Sequence, residues 1–423
     1  VIHAALLAVC LIGQGAADSS DLTSRVATLV RQLDAPEKAN RDEAERALAA
    51  LGPSILDLLP QANVAASAEI RLRVSRIRAQ LERALAESVS QASKITLHGD
   101  GLPLANLLTS IEKQTGNQLI DYRRQFGDAA RDVKLTLALD DVPFWKAVDQ
   151  ILDQGRLTLY NYGSDNALAI VNRPQSQPPR YDHATYVGAF RIAPTGLTSH
   201  LDLLDPSRRT LQLNVEIAWE PRVAPILMTL AGQRLTGRDD LGGALKLEAA
   251  GRDVELDITP GSATVNMPIQ LELPPRDARR ITTLSGVIGA VIPGKVEEFR
   301  FADPAKAKKV EQRHGSVVVT LDEARRNKSL WEVSIRVSYA EAGQALESHR
   351  NWVFNNAAWL ESPTGERIEF GGMETTRQTE REVGVAYLFA APENLEGYTF
   401  VYRTPSAIVS TPIAFELRDI ELP

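Results

Sequence analysis

The residues most able to do chemistry are few and scattered. Six histidines occur, at His3, His98, His183, His200, His314 and His349, and none falls in an HExxH or HxH pattern. Zinc sites combine thiolates, imidazoles and carboxylates at short range. Cys10 is the single cysteine, so a Cys-rich metal site and an intramolecular disulfide are both excluded. His183, His200 and Asp202 can meet across one hairpin, but three polar side chains near a loop are ordinary. Gly289 through Lys295 fits G-x-x-x-x-G-K, and the next residue, Val296, has no hydroxyl for a magnesium ion. No helical pattern starts there, so the stretch reads as strand and turn. The acidic pairs Asp140-Asp141, Asp239-Asp240 and Glu297-Glu298 are adjacent in sequence. Neighbours in a strand point to opposite faces, which makes them poor partners for acid–base work. No G-x-S-x-G elbow is present. The expectation is no catalytic, cofactor or metal residue, and no cofactor.

Contact chemistry is better represented. Tyr160 and Tyr162 share one strand face, and Trp352 and Trp359 are seven residues apart. Exposed rings would suit a glycan or a peptide, with core packing as the competing reading. Arg71, Arg73, Arg76, Arg78 and Arg83 punctuate one helix. Glu69, Glu82 and Glu87 accompany them, which favours a solvated face with internal ion pairs. Tyr160, Tyr162, Arg71 and Arg78 are the candidate partner contacts. The 423 residues carry 47 basic and 54 acidic side chains, net −7, which gives no overall basic surface for nucleic acid.

The elements that hold these residues fall into modules. The run from 4 to 12 is apolar and too short to span a bilayer. It reads as the core of a secretory signal with a cut after Ala17. The expected location is periplasmic or secreted, associated with the envelope, with no transmembrane segment in the mature chain. Residues 21–90 read as helical: Ile70, Val74, Ile77, Leu81 and Leu85 form a stripe on a helix from 66 to about 88, and Gly52-Pro53 starts another over 54–59. The piece LVRQLDAPEKANRDEAERALAALGPSILDLL resembles a HEAT-like helical repeat.

Residues 95–171 read as βαβ followed by βαββ. Val133, Leu135, Leu137 and Leu139 alternate onto one face, and Phe144, Ala147, Val148, Ile151 and Leu152 mark a helix. The strings ITLHGDGLPLANLLTSIEKQTGNQLIDY and VKLTLALDDVPFWKAVDQILDQGRLTLYNYGSDNALAIV together resemble the short amino-terminal domain shared by secretins and TonB-dependent receptors. That resemblance implies a periplasmic protein-contact module with no catalytic residues to carry over.

Residues 172–182 hold three prolines and read as a linker. Beyond it, TLQLNVEIAW places Leu211, Leu213, Val215, Ile217 and Trp219 on one face, and WEVSIRVSYA does the same with Trp331, Val333, Ile335, Val337 and Tyr339. Residues 303–312 read as a charged helical turn or loop. The expected β domains are 183–274, 275–345 and 346–423, although strands returning from far along the chain remain an open arrangement. The tail resembles β-rich regions of large exported proteins of planctomycete-like bacteria. The fold class is therefore multidomain: a small all-α module, an α+β short domain of secretin type, then all-β sandwich-like domains. The functional expectation is a non-catalytic envelope protein that contacts other proteins. A glycan-binding module, a hydrolase on a β scaffold and a secretion or transport subunit are the alternatives.

Overall fold

The structure, a computed structural model, describes residues 12–60, 67–126, 133–160, 167–181, 184–205, 209–246, 251–256, 258–259, 261–314, 317–339, 353–354, 356–379 and 382–423. It is multidomain, with a helical amino-terminal region followed by β-rich domains. The helical module contains α1 (Ile12–Gln32), α2 (Lys38–Ala50) and α3 (Ala68–Ser90). Val74, Ile77 and Leu81 are buried with Val26, Leu33, Ala44 and Leu48, while Ile70 and Leu85 pack at the margin. The expected helix over 54–59 shrinks to a 3-10 turn, Pro53–Ile55. Gly52 at φ 79 and Pro53 redirect the chain there, and only Ile55 and its neighbours drop into the core. The proposed signal run lies outside the described residues except for Ile12, which opens α1. Among the described residues no helix is long and apolar enough to cross a membrane.

The chain divides into two compact units, residues 1–86 with 294–409 and residues 87–293 with 410–423. The second begins with β1 (Lys94–Pro103), α4 (Leu104–Thr115) and β2 (Gln118–Asp121). It continues through β3 (Lys134–Pro143), α5 (Phe144–Gly155), β4 (Leu157–Tyr160) and β5 (Ala167–Asn172). β1 and β3 form an antiparallel ribbon; β5 runs between β2, parallel, and β4, antiparallel. The α+β order is as the sequence reads.

This α+β unit contains an internal repeat. With a constant offset, Lys94, Thr96, Leu97, Asp100, Pro103, Ile111 and Gln114 match Lys134, Thr136, Leu137, Asp140, Pro143, Ile151 and Gln154. The backbone repeats with the sequence. Pro103 and Pro143 precede α4 and α5 at φ −63 and −54. Gly116 and Arg156 end those helices in the left-handed region, at φ 70 and 53. Gln114 Oε1 accepts from the Thr96 amide at 2.9 Å while its Nε2 donates to the Thr96 carbonyl at 3.1 Å. Gln154 does the same to Thr136, at 3.2 and 3.0 Å. Each glutamine amide therefore occupies the hydrogen-bonding place of a neighbouring strand.

Next come β6 (Thr185–Val187), β7 (Phe190–Leu201) and β8 (Arg209–Trp219), then β9 (Leu227–Leu230), β10 (Thr236–Asp239), β11 (Val254–Leu256) and β12 (Thr264–Glu272). β12, β8, β7 and β6 make one antiparallel sheet, and β8 buries Leu211, Leu213, Val215, Ile217 and Trp219 as its alternation requires. β9 and β10 pair with β13 (Arg280–Ala302). Gly289 to Lys295 lie inside this 23-residue strand, so the stretch cradles nothing as a phosphate loop would.

The other unit takes up the second part of β13 and then β14 (Lys308–His314), β15 (Val317–Asn327), β16 (Leu330–Tyr339), β17 (Ala358–Glu361) and β18 (Arg367–Glu369). β19 (Gly372–Gln378), β20 (Glu382–Phe389) and β21 (Thr399–Glu421) follow. One sheet has the order β14-β15-β16-β20-β19. β21 pairs with β17 and neighbours β13. Phe400 lies 6.1 Å from both Tyr387 and Phe389, and Phe301 lies 6.3 Å from Phe400, so aromatic rings fill the space between the two sheets.

Two expectations need correction. The boundaries at 274/275 and 345/346 do not separate domains, because β13 contributes to both units and β16 pairs with β20 across the second boundary. Edge-to-edge pairing is chosen by tertiary fit, and the strands concerned return from far along the chain. The stretch 303–312 is a turn only to Lys306 and then enters β14, where Gln312 pairs with the Arg300 backbone.

Candidate contact surfaces and the buried polar joint

The densest side-chain chemistry lies where α5 meets the β6–β7–β8 sheet. Pro143 starts α5 so that Trp145 and Asp149 share its outward face, one turn apart. The Trp145 indole N–H donates to the Ala189 carbonyl at 3.1 Å. Asp149 is 0% exposed. Its Oδ1 accepts from Arg180 Nε at 2.9 Å and its Oδ2 from Arg191 Nε at 2.6 Å, with the Tyr186 hydroxyl 2.8 Å away. Arg191 also reaches Glu216 at 3.4 Å. Two carboxylates and two guanidiniums balance, which is how a buried charge becomes tolerable. Burial, followed by the Asp149 charge, pushes the Tyr186 hydroxyl well above the usual tyrosine range. Asp153 accepts from the Arg180 and Tyr181 amides at 2.8 to 2.9 Å and pairs with Arg173, pinning both ends of the expected linker.

A second cluster ties the start of β1 to the end of β8. Glu220, 0% exposed, accepts from the Ser93 amide at 2.8 Å, Asn117 Nδ2 at 2.9 Å and Arg222 Nε at 2.7 Å. Asn117 Oδ1 accepts from the Arg222 amide at 3.0 Å. Asp149 and Glu220, the buried carboxylates at the heart of the two clusters, each accept at least three internal hydrogen bonds. Their chemistry is mechanical: they fix the α+β unit on the sheet. Sequence reasoning missed both, although Trp145 beside Asp149 on one helix face was a readable signal.

The nominated contacts are placed as follows. Tyr160 is half-buried at the end of β4, and Tyr162 lies outside the described residues. Of the two strands in the hairpin over 157–172, β5 is the central strand of its sheet and β4 an edge strand, with Leu157 and Thr158 buried. Arg71 is exposed on α3, whereas Arg78 is buried and donates to the Leu59 carbonyl at 2.9 Å. Arg78 occupies the row of Val74 and Leu81 closely enough to be drawn inward. Arg73 is likewise buried, pairing with Asp42 at 2.9 Å, with Glu69 at 2.7 Å and with Glu45.

His98 sits on the surface, 2.8 Å from Asp140. His200 is exposed at the end of β7; His183, His349, His3 and Trp352 are outside the described residues. Trp359 is 2% exposed, with the Arg367 and Arg403 guanidiniums 4.3 and 5.3 Å from its ring, so it offers no ring face to a sugar. Among the described residues no group of three or more His, Cys, Asp or Glu side chains is arranged to hold a metal.

Among the described residues, two further exposed stretches bear on contacts. On α4, Ala105, Asn106, Thr109, Glu112 and Lys113 are exposed, at the repeat positions of Trp145, Lys146, Asp149, Leu152 and Asp153. At the tip between β7 and β8, Leu203 and Leu204 are 84% and 98% exposed. The sequence signal for this tip is the run of three leucines in LDLLD beside a turn.

No family model matches the chain, no curated protein matches it, and no solved structure matches it.

Proposed function

We propose that this chain is an exported, non-catalytic protein of the cell envelope, periplasmic or secreted, that works by binding other proteins through its α+β unit. The carrying observation is that the unit already docks on a protein surface once: the α5 face, through Trp145 and Asp149, grips the chain's own β sheet. Its repeat partner α4 presents the equivalent face to solvent, with Ala105, Asn106 and Thr109 exposed. The same scaffold thus carries one occupied and one open helix face. The resemblance to the secretin and TonB-receptor short domain, a contact module, supports the same reading.

The test is a photo-crosslinking side chain at Asn106 in the native cell. The expected result is a discrete adduct with another protein, formed by a chain whose amino terminus has been cut near Asp18. Absence of any protein adduct defeats the contact reading. Recovery of only an uncleaved cytoplasmic form defeats the envelope reading.

A further inference from the structure

The helical module carries a surface that the contact reading of the α+β unit does not use. The two sides of α3 share one spacing. Its inward stripe includes Val74, Ile77 and Leu81, which are buried in the module core. Its outward stripe is Leu72, Arg76, Ala79 and Arg83, at steps of four, three and four, and every member is exposed. Such steps keep side chains in line over about three turns, the seam along which a second helix packs. Leu72 is 58% exposed at one end of the line. Ser75 and Ala79 are small, so a partner backbone can come close to the middle.

The charge on this side is of one sign. Arg71, Arg76 and Arg83 are exposed, and no exposed position from Arg71 to Arg83 is acidic. Asp42, Glu45 and Glu69 gather instead at the buried Arg73. Asp42 and Glu69 reach it at 2.9 and 2.7 Å, and Glu45 is shared between Arg73 and Arg76. Arg76 still keeps 61% of its side chain exposed.

From this arrangement we infer that the outward side of α3 docks a helix of another protein whose facing residues are acidic. Carboxylates on the partner complement the row of guanidiniums, fix its orientation and suppress wrong partners. Leu72 and Ala79 supply the apolar contact along the same line. Lipid and nucleic acid fit less well. An interfacial helix buries an apolar face, and this stripe holds one leucine. The chain is net −7 and α3 carries no aromatic ring, so a nucleic acid finds neither a broad basic field nor a stacking surface.

The test places a photo-crosslinking side chain at Gln80, beside Ala79, in the full chain in the native cell, and sequences the peptide joined to it. The expected result is an adduct with another protein at an acidic, helix-forming segment. Arg71→Glu/Arg83→Glu is expected to lower that adduct at least about tenfold, because like charges then face each other. Arg71→Lys/Arg83→Lys is expected to retain it. All these changes fall on exposed side chains, and the melting temperature serves as the folding control; if the glutamates lower it, Arg71→Gln/Arg83→Gln takes their place. No protein adduct, a linked segment without acids, or an adduct indifferent to the charge change overturns the inference. Linkage only to lipid, to nucleic acid or to a second copy of this chain overturns it as well. A crosslinker at Asn106 reports on a different helix, so this docking and the α4 reading fail separately.

Discussion

The two copies inside the α+β unit share a backbone and differ in what covers them. In the first copy the outer positions of the helix are Ala105, Thr109 and Glu112, and water covers them. In the second they are Trp145, Asp149 and Leu152, and all three are buried. What the copies keep is the inward pattern, the proline before the helix, the left-handed exit and the glutamine on the strand edge. Docking thus differs between the copies through the residues of one helix face, while the inner packing pattern is shared.

The largest effect that separates the copies is expected at Asp149. Asp149→Ala leaves Arg180 and Arg191 buried without their shared partner, and the expected loss is about 3–5 kcal/mol in a denaturant titration. Thr109→Asp, the reciprocal change at a solvated position, is expected within about 0.5 kcal/mol of wild type. Equal effects at the two sites would abolish the distinction.

Tyr186 sharpens the contrast from the covering side. Tyr186→Phe removes a hydrogen bond to a buried carboxylate, and a loss of about 1.5–3 kcal/mol is expected near neutral pH. The folded hydroxyl titrates above the unfolded value, so its contribution is complete below that value, about pH 10, and fades as pH rises beyond it. Stability measured between about pH 9 and 11 should accordingly fall less steeply in the phenylalanine variant. A steeper fall would contradict the burial of that group.

A smaller change is expected for Trp145→Phe, which loses the bond to Ala189 and part of the ring; about 1–2 kcal/mol is expected by thermal melting. The smallest effects test what the copies share. Gln114→Ala and Gln154→Ala should each cost about 1 kcal/mol, and the two values should agree within about 0.5 kcal/mol, because both amides make the same pair of bonds to a strand backbone. A large difference would mean that the copies are alike in outline only.

Much of this architecture was legible in local pattern. The period-two run from Leu211 to Trp219 is buried as read, and so is the α3 stripe from Val74 to Leu81, because burial of one face is dictated by spacing alone. What escaped reading is non-local. β21 follows β20 in sequence yet pairs with β17, and β13 serves both units; no spacing rule names a distant partner strand. The repeat was available in K-x-T-L and in the P-helix-Q spacing, but a reading of element types does not compare one element with the next. Leu203 and Leu204 escaped because a leucine is assigned to the interior by default, and only a structure shows that the turn turns them out.

The glutamine amides have a consequence for the order of assembly. Gln114 lies 18 residues from Thr96, Gln154 lies 18 from Thr136, and Gln312 lies 12 from Arg300. Closing loops of that length is fast and costs little entropy compared with bringing in a strand from far along the chain. Each of these edges is thus sealed by its own neighbourhood while the distant strands are still arriving. A chain that emerges unfolded among many copies of itself gains a temporal safeguard, since the backbone groups most apt to recruit a foreign strand are the first to be occupied.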